Sequence, residues 1–296
     1  MTFVNTNKES RMKLGYNTNG LAHHVPVQGL QLLVDSGYSS VAITVDHHFL
    51  NPNSPDNSRE IVETASFLKD HYLGSVIETG ARFLLDPNVK HAPTLLDSDP
   101  KLVQRRIDYT KYCIDLAREF GSDCVSIWSG SKPAAMSFPE ALERLVANLE
   151  PVLSYASECG VDIGFEPEPG MLIDTTGRFE RLLHLADVPA LKMTMDIGHL
   201  FCLSEVPIAG FIEKWQDLIV NIHIDDMCAG VHDHLMFGEG QIYFPPVIEA
   251  LVAANYTGGL HVELSRHSHD AANIVRKSYD FLRPIIDDAY SSREFQ

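Results

Sequence analysis

The chain has 296 residues, and its 40 aspartates and glutamates outnumber its 23 lysines and arginines, which gives a formal net charge of −17. This acidic excess argues against a general electrostatic grip on nucleic acid or on an anionic membrane, because both need clustered positive charge. The hydrophobic fraction of 45% is ordinary for a globular protein and too high for a disordered one.

The cysteines and the N-terminus indicate where the protein is found. The five cysteines are scattered and form no CxxC pair, which argues against a disulfide framework or a cysteine-based zinc site. The N-terminus lacks the apolar core of a signal peptide, and no apolar run is long enough to predict a membrane span. We therefore expect a cytoplasmic protein in a reducing compartment.

Residues 1–10 are polar and predict a loose tail, and residues 11–296 read as one domain. After the tail, short β-branched runs alternate with longer amphipathic stretches. The predicted strands are 12–17, 39–45, 74–79, 124–128, 161–166, 191–196, 220–224 and 259–264. The predicted helices are 26–36, 59–72, 102–120, 138–159, 177–186, 208–218, 244–254 and 270–289. Residues 84–100 contain three prolines and predict a loop.

Eight strand–helix units in one chain of this length predict an α/β fold, a single (β/α)₈ TIM barrel. The short apolar runs are typical of parallel strands that are buried on both faces. The alternative is an open doubly wound sheet. That fold usually carries a GxGxxG motif after its first strand, and the motif is absent here.

In such a barrel the chemistry lies at the carboxyl ends of the strands, and four acidic or imidazole side chains fall there. Glu166, Asp196, His223 and Glu263 are 30, 27 and 40 residues apart, about one strand–helix unit each, so each belongs to a successive strand. Buried carboxylates that converge on one place would repel one another without a cation between them. The set therefore predicts one divalent metal ion: Mn²⁺, Co²⁺, Mg²⁺ or Zn²⁺.

The strand ends also carry motifs that resemble a known family. The segments are GFEPEPG (164–170), MDIGH (195–199), NIHIDDM (221–227), HDHLMFGEGQIYF (232–244) and HVELSRHSHD (261–270). Together they resemble the xylose-isomerase-like barrel superfamily of sugar isomerases and epimerases. This group includes the ketose 3-epimerases and the type IV apurinic endonucleases.

The resemblance implies roles for individual residues. Glu166 and Glu263 would both ligate the metal and act as acid and base, moving a proton next to a carbonyl through a cis-enediolate. His199 would bind a substrate oxygen. The chemistry is reasonable from the residues themselves, because removing a carbon-bound proton needs a positioned base and a Lewis acid.

Other polar residues at the strand ends are candidates for substrate contacts, and each has a plain structural alternative as a hydrogen-bonded loop residue or a core aromatic. These candidates are His48, Glu78, Trp128, Glu168, His234 and Arg266. Arg82 and Lys90 are candidate anchors for an anionic group. Yet no glycine-rich phosphate cradle follows the last two strands apart from Gly238-x-Gly240, which favours a substrate without phosphate.

His232 and His234 keep three interpretations open. In the type IV endonucleases, a D-x-H pair in the corresponding loop holds an extra zinc ion. Here the segment is His-Asp-His, followed by Gly-Glu-Gly. It could form a second metal site, contact the substrate or be a structural loop.

The sequence thus predicts a divalent-metal-dependent sugar isomerase or epimerase whose partner is a small sugar or polyol, not nucleic acid or membrane. Whether it forms a homo-oligomer is left open. One alternative is a lyase or dehydratase acting on a keto-sugar or inositol derivative with the same metal and base. Others are a zinc phosphodiesterase of the apurinic endonuclease type and a barrel that binds without catalysis.

Overall fold

The computed structural model describes residues 11–186 and 188–294, and these contain a closed barrel of parallel strands surrounded by helices. The predicted loose tail at residues 1–10 lies outside the described residues. The barrel strands run in the order β1, β10, β7, β6, β5, β4, β3, β2, and β8 and β9 form a separate antiparallel hairpin. The strands are β1 (Lys13–Asn17), β2 (Ser40–Thr44), β3 (Gly74–Glu78), β4 (Val125–Ile127), β5 (Ile163–Phe165), β6 (Leu191–Asp196), β7 (Ile219–Ile224), β8 (Asp226–Cys228), β9 (Val231–Leu235) and β10 (Gly259–Val262).

Most helices connect successive strands of the barrel. The helices are α1 (Pro26–Ser36), α2 (Asn57–Asp70), α3 (Pro100–Phe120), α4 (Phe138–Cys159), α5 (Thr176–Ala186), α6 (Ile197–Cys202), α7 (Ile208–Trp215), α8 (Pro245–Ala253) and α9 (Ala271–Glu294). Helix α6 lies at the carboxyl end of β6, and α9 follows the last strand. Among the described residues, no helix is long and apolar enough to cross a membrane.

Capping residues set the ends of the long helices. The side chain of Asp99 accepts a hydrogen bond from the first turn of α3, and Ser137 and Glu140 form a capping box at the start of α4. The two helices end at Gly121 and Gly160, which have φ values of 63° and 68°. Glycine adopts this left-handed conformation without steric cost, so both helices stop where the sequence predicts.

The imidazole of His261 is buried in the barrel interior, beside glycines that have no side chain to clash with it. The side chain of His261 on β10 is fully buried. A Cβ atom added at Gly15 or Gly259 would lie 2.2 or 2.0 Å from the ring. Its Nε2 lies 2.9 Å from Ser40 Oγ, and its Nδ1 lies 2.7 Å from Asn221 Oδ1. These contacts satisfy a polar group that would otherwise be costly to bury.

The structure confirms the predicted (β/α)₈ barrel and shifts some element ends. The last barrel strand ends at Val262, whereas the prediction extended to residue 264, so Glu263 follows the strand directly. The predicted helix 208–218 ends at Trp215, and the closing helix runs to residue 294 instead of 289. The short helix α6 and the β8–β9 hairpin were not predicted, because each lies in a segment that reads as a loop.

Candidate active site

A cavity of about 470 Å³ opens at the carboxyl ends of the barrel strands. Residues that follow β1, β3, β4, β5 and β10 line it, together with residues of β7 and of the β9 strand of the hairpin. This is the end of a (β/α)₈ barrel that carries catalytic groups, and its volume lies within the range of small-molecule sites.

The four predicted metal ligands meet at this end of the barrel. The Nδ1 atom of His223 lies 3.1 Å from Glu166 Oε1, 3.0 Å from Glu263 Oε2 and 4.0 Å from Asp196 Oδ2. One candidate ligand atom from each of the four residues lies within 4.8 Å of the other three. Asp196 and His223 lie in β6 and β7, and Glu166 and Glu263 directly follow β5 and β10, so the four come from successive barrel strands, as the spacing predicts.

The electrostatics of this group fit a divalent cation. The Oδ2 atom of Asp196 is buried and has no hydrogen-bond partner among the described residues. Burial, opposed by His223, raises the pKa of Glu166 to about 7. Burial also raises the pKa of Asp196 to about 6. Buried carboxyl oxygens that lack a partner and resist ionisation are what a bound cation would stabilise, so these residues can hold a divalent metal.

A chain of hydrogen bonds fixes the orientation of His223. Its Nε2 lies 2.8 Å from Glu78 Oε1, on the side of the ring away from the other carboxylates. The Nδ2 of Asn221 donates to Glu78 Oε1 at 3.2 Å, while the Asn221 Oδ1 atom faces His261. With Glu78 accepting the Nε2 proton, Nδ1 is free to ligate a metal. Glu78, which the sequence predicts as a substrate contact, thus contacts a predicted metal ligand.

Two asparagines, Asn17 at the end of β1 and Asn19 after it, are site residues that the sequence analysis missed. The Nδ2 of Asn19 donates to Glu263 Oε1 at 2.7 Å. Asn17 accepts hydrogen bonds at Oδ1 from the Asn19 backbone and from Thr44 Oγ1. The available signal was the polar segment Asn17–Gly20 at the end of the first strand, where the search for strand-end chemistry did not look.

His199 lies beside the four predicted ligands. Its backbone N–H donates to Asp196 Oδ1 at 2.7 Å, which caps the short helix α6 and presents the imidazole to the site. Its Nδ1 is 3.6 Å from Glu166 Oε1 and 3.9 Å from Glu168 Oε2. Glu168 lines the cavity as well, next to Glu166.

The hairpin adds two imidazoles to the same side of the cavity. His232 Nε2 lies 3.1 Å from His199 Nε2, and the ligand atoms of His199, His232 and His234 lie within 4.8 Å of one another. His234 pairs through Nδ1 with the buried Asp225. Burial lowers the pKa of His234, but the hydrogen bond and the charge of Asp225 outweigh it and raise the pKa to about 10, which favours the cationic ring. Burial lowers the pKa of His232 to about 4, so that ring is neutral.

The remaining predicted contacts are distributed around the opening. Trp128 lines the cavity and packs edge-on against His91 at 5.5 Å between ring centroids. Arg266 lines it too, and its guanidinium is paired with Asp233 of β9. His48 is half-buried beside His47 and is not among the described residues that line the cavity.

The family follows from a comparison of the sequence with known families. The model of the xylose isomerase-like TIM barrel family matches residues 30–285. The chain belongs to this family. One relative is an uncharacterised protein of Methanocaldococcus jannaschii, which is 27% identical to this chain over 281 residues. The match covers 90% of this chain and 92% of the relative. An inosose dehydratase of Lacticaseibacillus casei is 32% identical over 138 residues, 41% of this chain and 46% of that enzyme.

Solved structures of other proteins show the same fold. An L-ribulose 3-epimerase superimposes with a TM-score of 0.76 at 18% identity, covering 96% of this chain and 97% of that one. The IolI protein with a bound zinc atom gives a TM-score of 0.75 at 16% identity, covering 94% of this chain and 99% of the other. At these identities the similarity concerns the architecture.

Proposed function

We propose that the protein is a divalent-metal-dependent sugar isomerase or epimerase that moves a proton on the carbon next to a carbonyl. The observation that carries the proposal is the meeting of Glu166, Asp196, His223 and Glu263 within 4.8 Å at the mouth of the barrel. Two of these residues can serve as acid and base while all four hold one cation. The superimposed epimerase and zinc-binding barrel support the same interpretation.

The metal would be Mn²⁺, Co²⁺, Mg²⁺ or Zn²⁺, since the ligand set combines three carboxylates and one imidazole. When bound, it would hold neighbouring substrate oxygens and stabilise the negative charge that develops on them. The Nδ1 atom of His223 would be its nitrogen ligand, with Glu78 holding the Nε2 proton at 2.8 Å.

The protein's own residues would perform the proton transfer. One of the Glu166 and Glu263 carboxylates takes the proton from the carbon, and the other returns a proton to the enediolate from the opposite side. The bond from Asn19 Nδ2 to Glu263 Oε1 orients that carboxylate. His199 faces the same space with a buried Nδ1 that has no hydrogen-bond partner among the described residues, so it can donate to a substrate oxygen.

The substrate would be a small sugar or polyol derivative with a carbonyl group. The cavity of about 470 Å³ suits a molecule of this size. Trp128, Glu168, His234 and Arg266 line the cavity and remain proposed substrate contacts. His48 lies outside the described lining of the cavity, so its proposed contact has no support from the cavity geometry.

A lyase that expels a hydroxyl group next to the reacting carbon is the second candidate. The specific observation in its favour is the match to an inosose dehydratase, which covers less than half of each chain. Proton removal would be the same, and an acid such as the cationic His234 would assist the departure of the leaving group.

The imidazoles of His199, His232 and His234 could together hold a second metal ion. A zinc phosphodiesterase would need such an additional ion. The net charge of −17 opposes that activity, because a face that binds a nucleic acid backbone should be basic. A count of bound ions would decide this point: two or more zinc ions per chain would favour the phosphodiesterase.

The experiment that tests the proposal is exchange of carbon-bound hydrogen in deuterated water. Purified protein with added Mn²⁺ would be incubated with a panel of ketoses, keto-sugar acids, sugar phosphates and an inosose, and followed by NMR. Deuterium incorporation next to the carbonyl with a new epimer or isomer supports the proposal. Loss of water from the inosose supports the lyase, and no exchange with any member of the panel contradicts both.

A further inference from the structure

A cluster of cationic side chains lies on the side of the cavity away from the predicted metal ligands. Arg82 and Lys90 belong to the loop between β3 and α3, and they line the cavity with His91 and Trp128. The metal ligands come from β5, β6, β7 and β10, which form the other half of the closed barrel. The two groups therefore face each other across the mouth.

The cations at this side have few partners. The Nε of Arg82 lies 2.5 Å from Asp46 Oδ2, but Arg82 Nη2 is buried without a hydrogen-bond partner among the described residues. Asp46 is shared with His47, whose Nδ1 lies 2.9 Å from Asp46 Oδ1. The ammonium group of Lys90 forms no hydrogen bond or ion pair within the part of the chain that the structure describes.

A third cation, Arg106, lies next to Trp128 on this side of the cavity. Arg106 is only 4% exposed, and its guanidinium lies 4.9 Å from the ring of Trp128. Its Nη1 has no hydrogen-bond partner, and the guanidinium makes no ion pair with a described carboxylate. Burial of a guanidinium without a counter-ion is costly, which calls for negative charge nearby.

The three cations converge on His91. Burial lowers the pKa of His91, and Lys90, Arg106 and Arg82 lower it further through their charge. Thus three positive charges act on one neutral ring, and Asp46 is the one described carboxylate paired with any of them. A concave site with this imbalance of charge attracts anions.

The backbone of this loop is held in a specific shape. Ala81, Arg82 and His91 have φ values of 53°, 28° and 67°, in a region that residues with a Cβ atom rarely adopt. Such conformations persist where the surrounding structure imposes them, and they concentrate at binding and catalytic sites. The shape of the loop presents Arg82 and His91 to the cavity.

We propose that Arg82 and Lys90, backed by Arg106, bind an anionic group of the substrate, a phosphate ester or a carboxylate. The inference deepens the proposed function and rests on it for the position of the reacting carbonyl, which would lie across the cavity at the metal ligands. The substrate would then be a sugar phosphate or a sugar acid. The charged side chains of Arg82 and Lys90 would bind the anion in place of a glycine-rich phosphate-binding loop.

The test measures binding with inorganic phosphate, D-gluconate and the uncharged polyol D-glucitol by calorimetry. We expect phosphate or gluconate to bind at least about tenfold more tightly than D-glucitol, since charge-assisted hydrogen bonds contribute that much or more. The double variant Arg82→Gln/Lys90→Met should lose at least about tenfold of that affinity. The variant Lys69→Met removes an exposed lysine of α2 and should bind as the unaltered protein does.

The outcomes separate the sources of the anion and the two proposals. Stronger binding of phosphate indicates a sugar phosphate, and stronger binding of gluconate indicates a sugar acid. Equal binding of D-glucitol, no anion binding, or full affinity in the double variant would overturn the inference. In Asp196→Asn, which the proposed function expects to lose the metal, phosphate binding should persist. If Asp196→Asn keeps its metal while the double variant loses phosphate, the proposed function fails and the anion site stands.

Discussion

At the scale of single residues, His223 decides which atoms can hold a metal. Burial alone would lower its pKa, but Glu78, Glu166 and Glu263 raise it well above the ordinary value. The ring therefore carries two protons in the absence of a cation, one facing Glu78 and one facing the other carboxylates. A metal ion would replace the proton at Nδ1, so metal binding should release protons.

Glu78 should act as a positioning residue for His223. In Glu78→Gln the side chain can still accept the Nε2 proton, but the negative charge that strengthens imidazole ligation is lost. We expect metal affinity to fall by about 10- to 100-fold, the usual effect of changing a residue that supports a metal-ligating histidine. Titration with Mn²⁺ or Zn²⁺ measures it, with the exposed Glu249→Gln as the matched control. Unchanged affinity would show that Glu78 has another role.

The carboxylates of Glu166 and Glu263 should be essential for proton transfer. Glu263→Gln and Glu166→Gln should each reduce deuterium exchange by about 100-fold or more, since a positioned acid or base contributes about 10²- to 10⁴-fold. The thermal unfolding temperature should not fall in Glu166→Gln, because burial and the neighbouring carboxylates Glu263 and Asp196 already disfavour the ionised form of Glu166. Exchange that survives within about tenfold in either variant would refute the assigned acid/base role.

At the scale of elements, the side chain of Asp226 holds together the segment that carries the hairpin. It is buried and accepts hydrogen bonds from four backbone N–H groups, at 2.9 to 3.0 Å. The donors are Met227, Gly238, Gly240 and Ile242. The hairpin in turn places His232 and His234 at the cavity.

Asp226→Ala should therefore destabilise the protein. Several buried N–H groups would lose their acceptor, and each such loss costs about 1 to 3 kcal/mol before the loop relaxes. We expect a loss of about 2 to 4 kcal/mol in the free energy of unfolding, measured by urea denaturation. The exposed Asp217→Ala is the control and should change little. A cost below about 0.5 kcal/mol would mean that the segment does not depend on Asp226.

Most elements of the barrel could be predicted because their signals are local. The buried strands stand out as β-branched runs, and Gly121 and Gly160 terminate their helices. The β8–β9 hairpin could not be recognised, because β9 has no buried residue and its segment reads as a polar loop. Helix α6 was not predicted, because its only capping signal is Asp196, which the sequence analysis interpreted as a metal ligand.

At the scale of the whole molecule, spacing along the chain predicts which strands contribute to the site but not how side chains turn. Glu166, Asp196, His223 and Glu263 meet as predicted, since each lies near the carboxyl end of a barrel strand or directly after it. The contact of Glu78 with His223 depends on side-chain direction across the barrel, which no spacing encodes. Whether the protein is cytoplasmic and whether it forms an oligomer stay predictions.

Buried neutral histidines should contribute a part of the stability that is lost in mild acid. Burial lowers the pKa of both His48 and His91. The unfolded chain then binds more protons than the folded one below the ordinary histidine pKa of about 6.5, so stability is lost as the pH falls through that value. This contribution should be lost between about pH 7 and pH 5, whereas Glu166 and Asp196, whose pKa values are raised to about 7 and 6, take up protons in the folded chain and contribute in the opposite direction.

The variant His91→Gln tests this account of the acid sensitivity. Between about pH 7 and pH 5 its unfolding temperature should fall less, or rise more, than that of the unaltered protein, because one proton-binding group of the unfolded state is gone. His184→Gln, which changes an exposed histidine of α5, should keep the slope of the unaltered protein. Equal slopes in all three proteins would contradict the role given to His91.

The measurement that tests the central claim most directly is the metal content of the purified chain by elemental analysis. We predict about one Mn, Co, Mg or Zn per chain after purification without chelators, and its loss in Asp196→Asn and His223→Gln. A chain that takes up none of these ions when they are added, or that keeps its ion in both variants, would contradict the metal site proposed here.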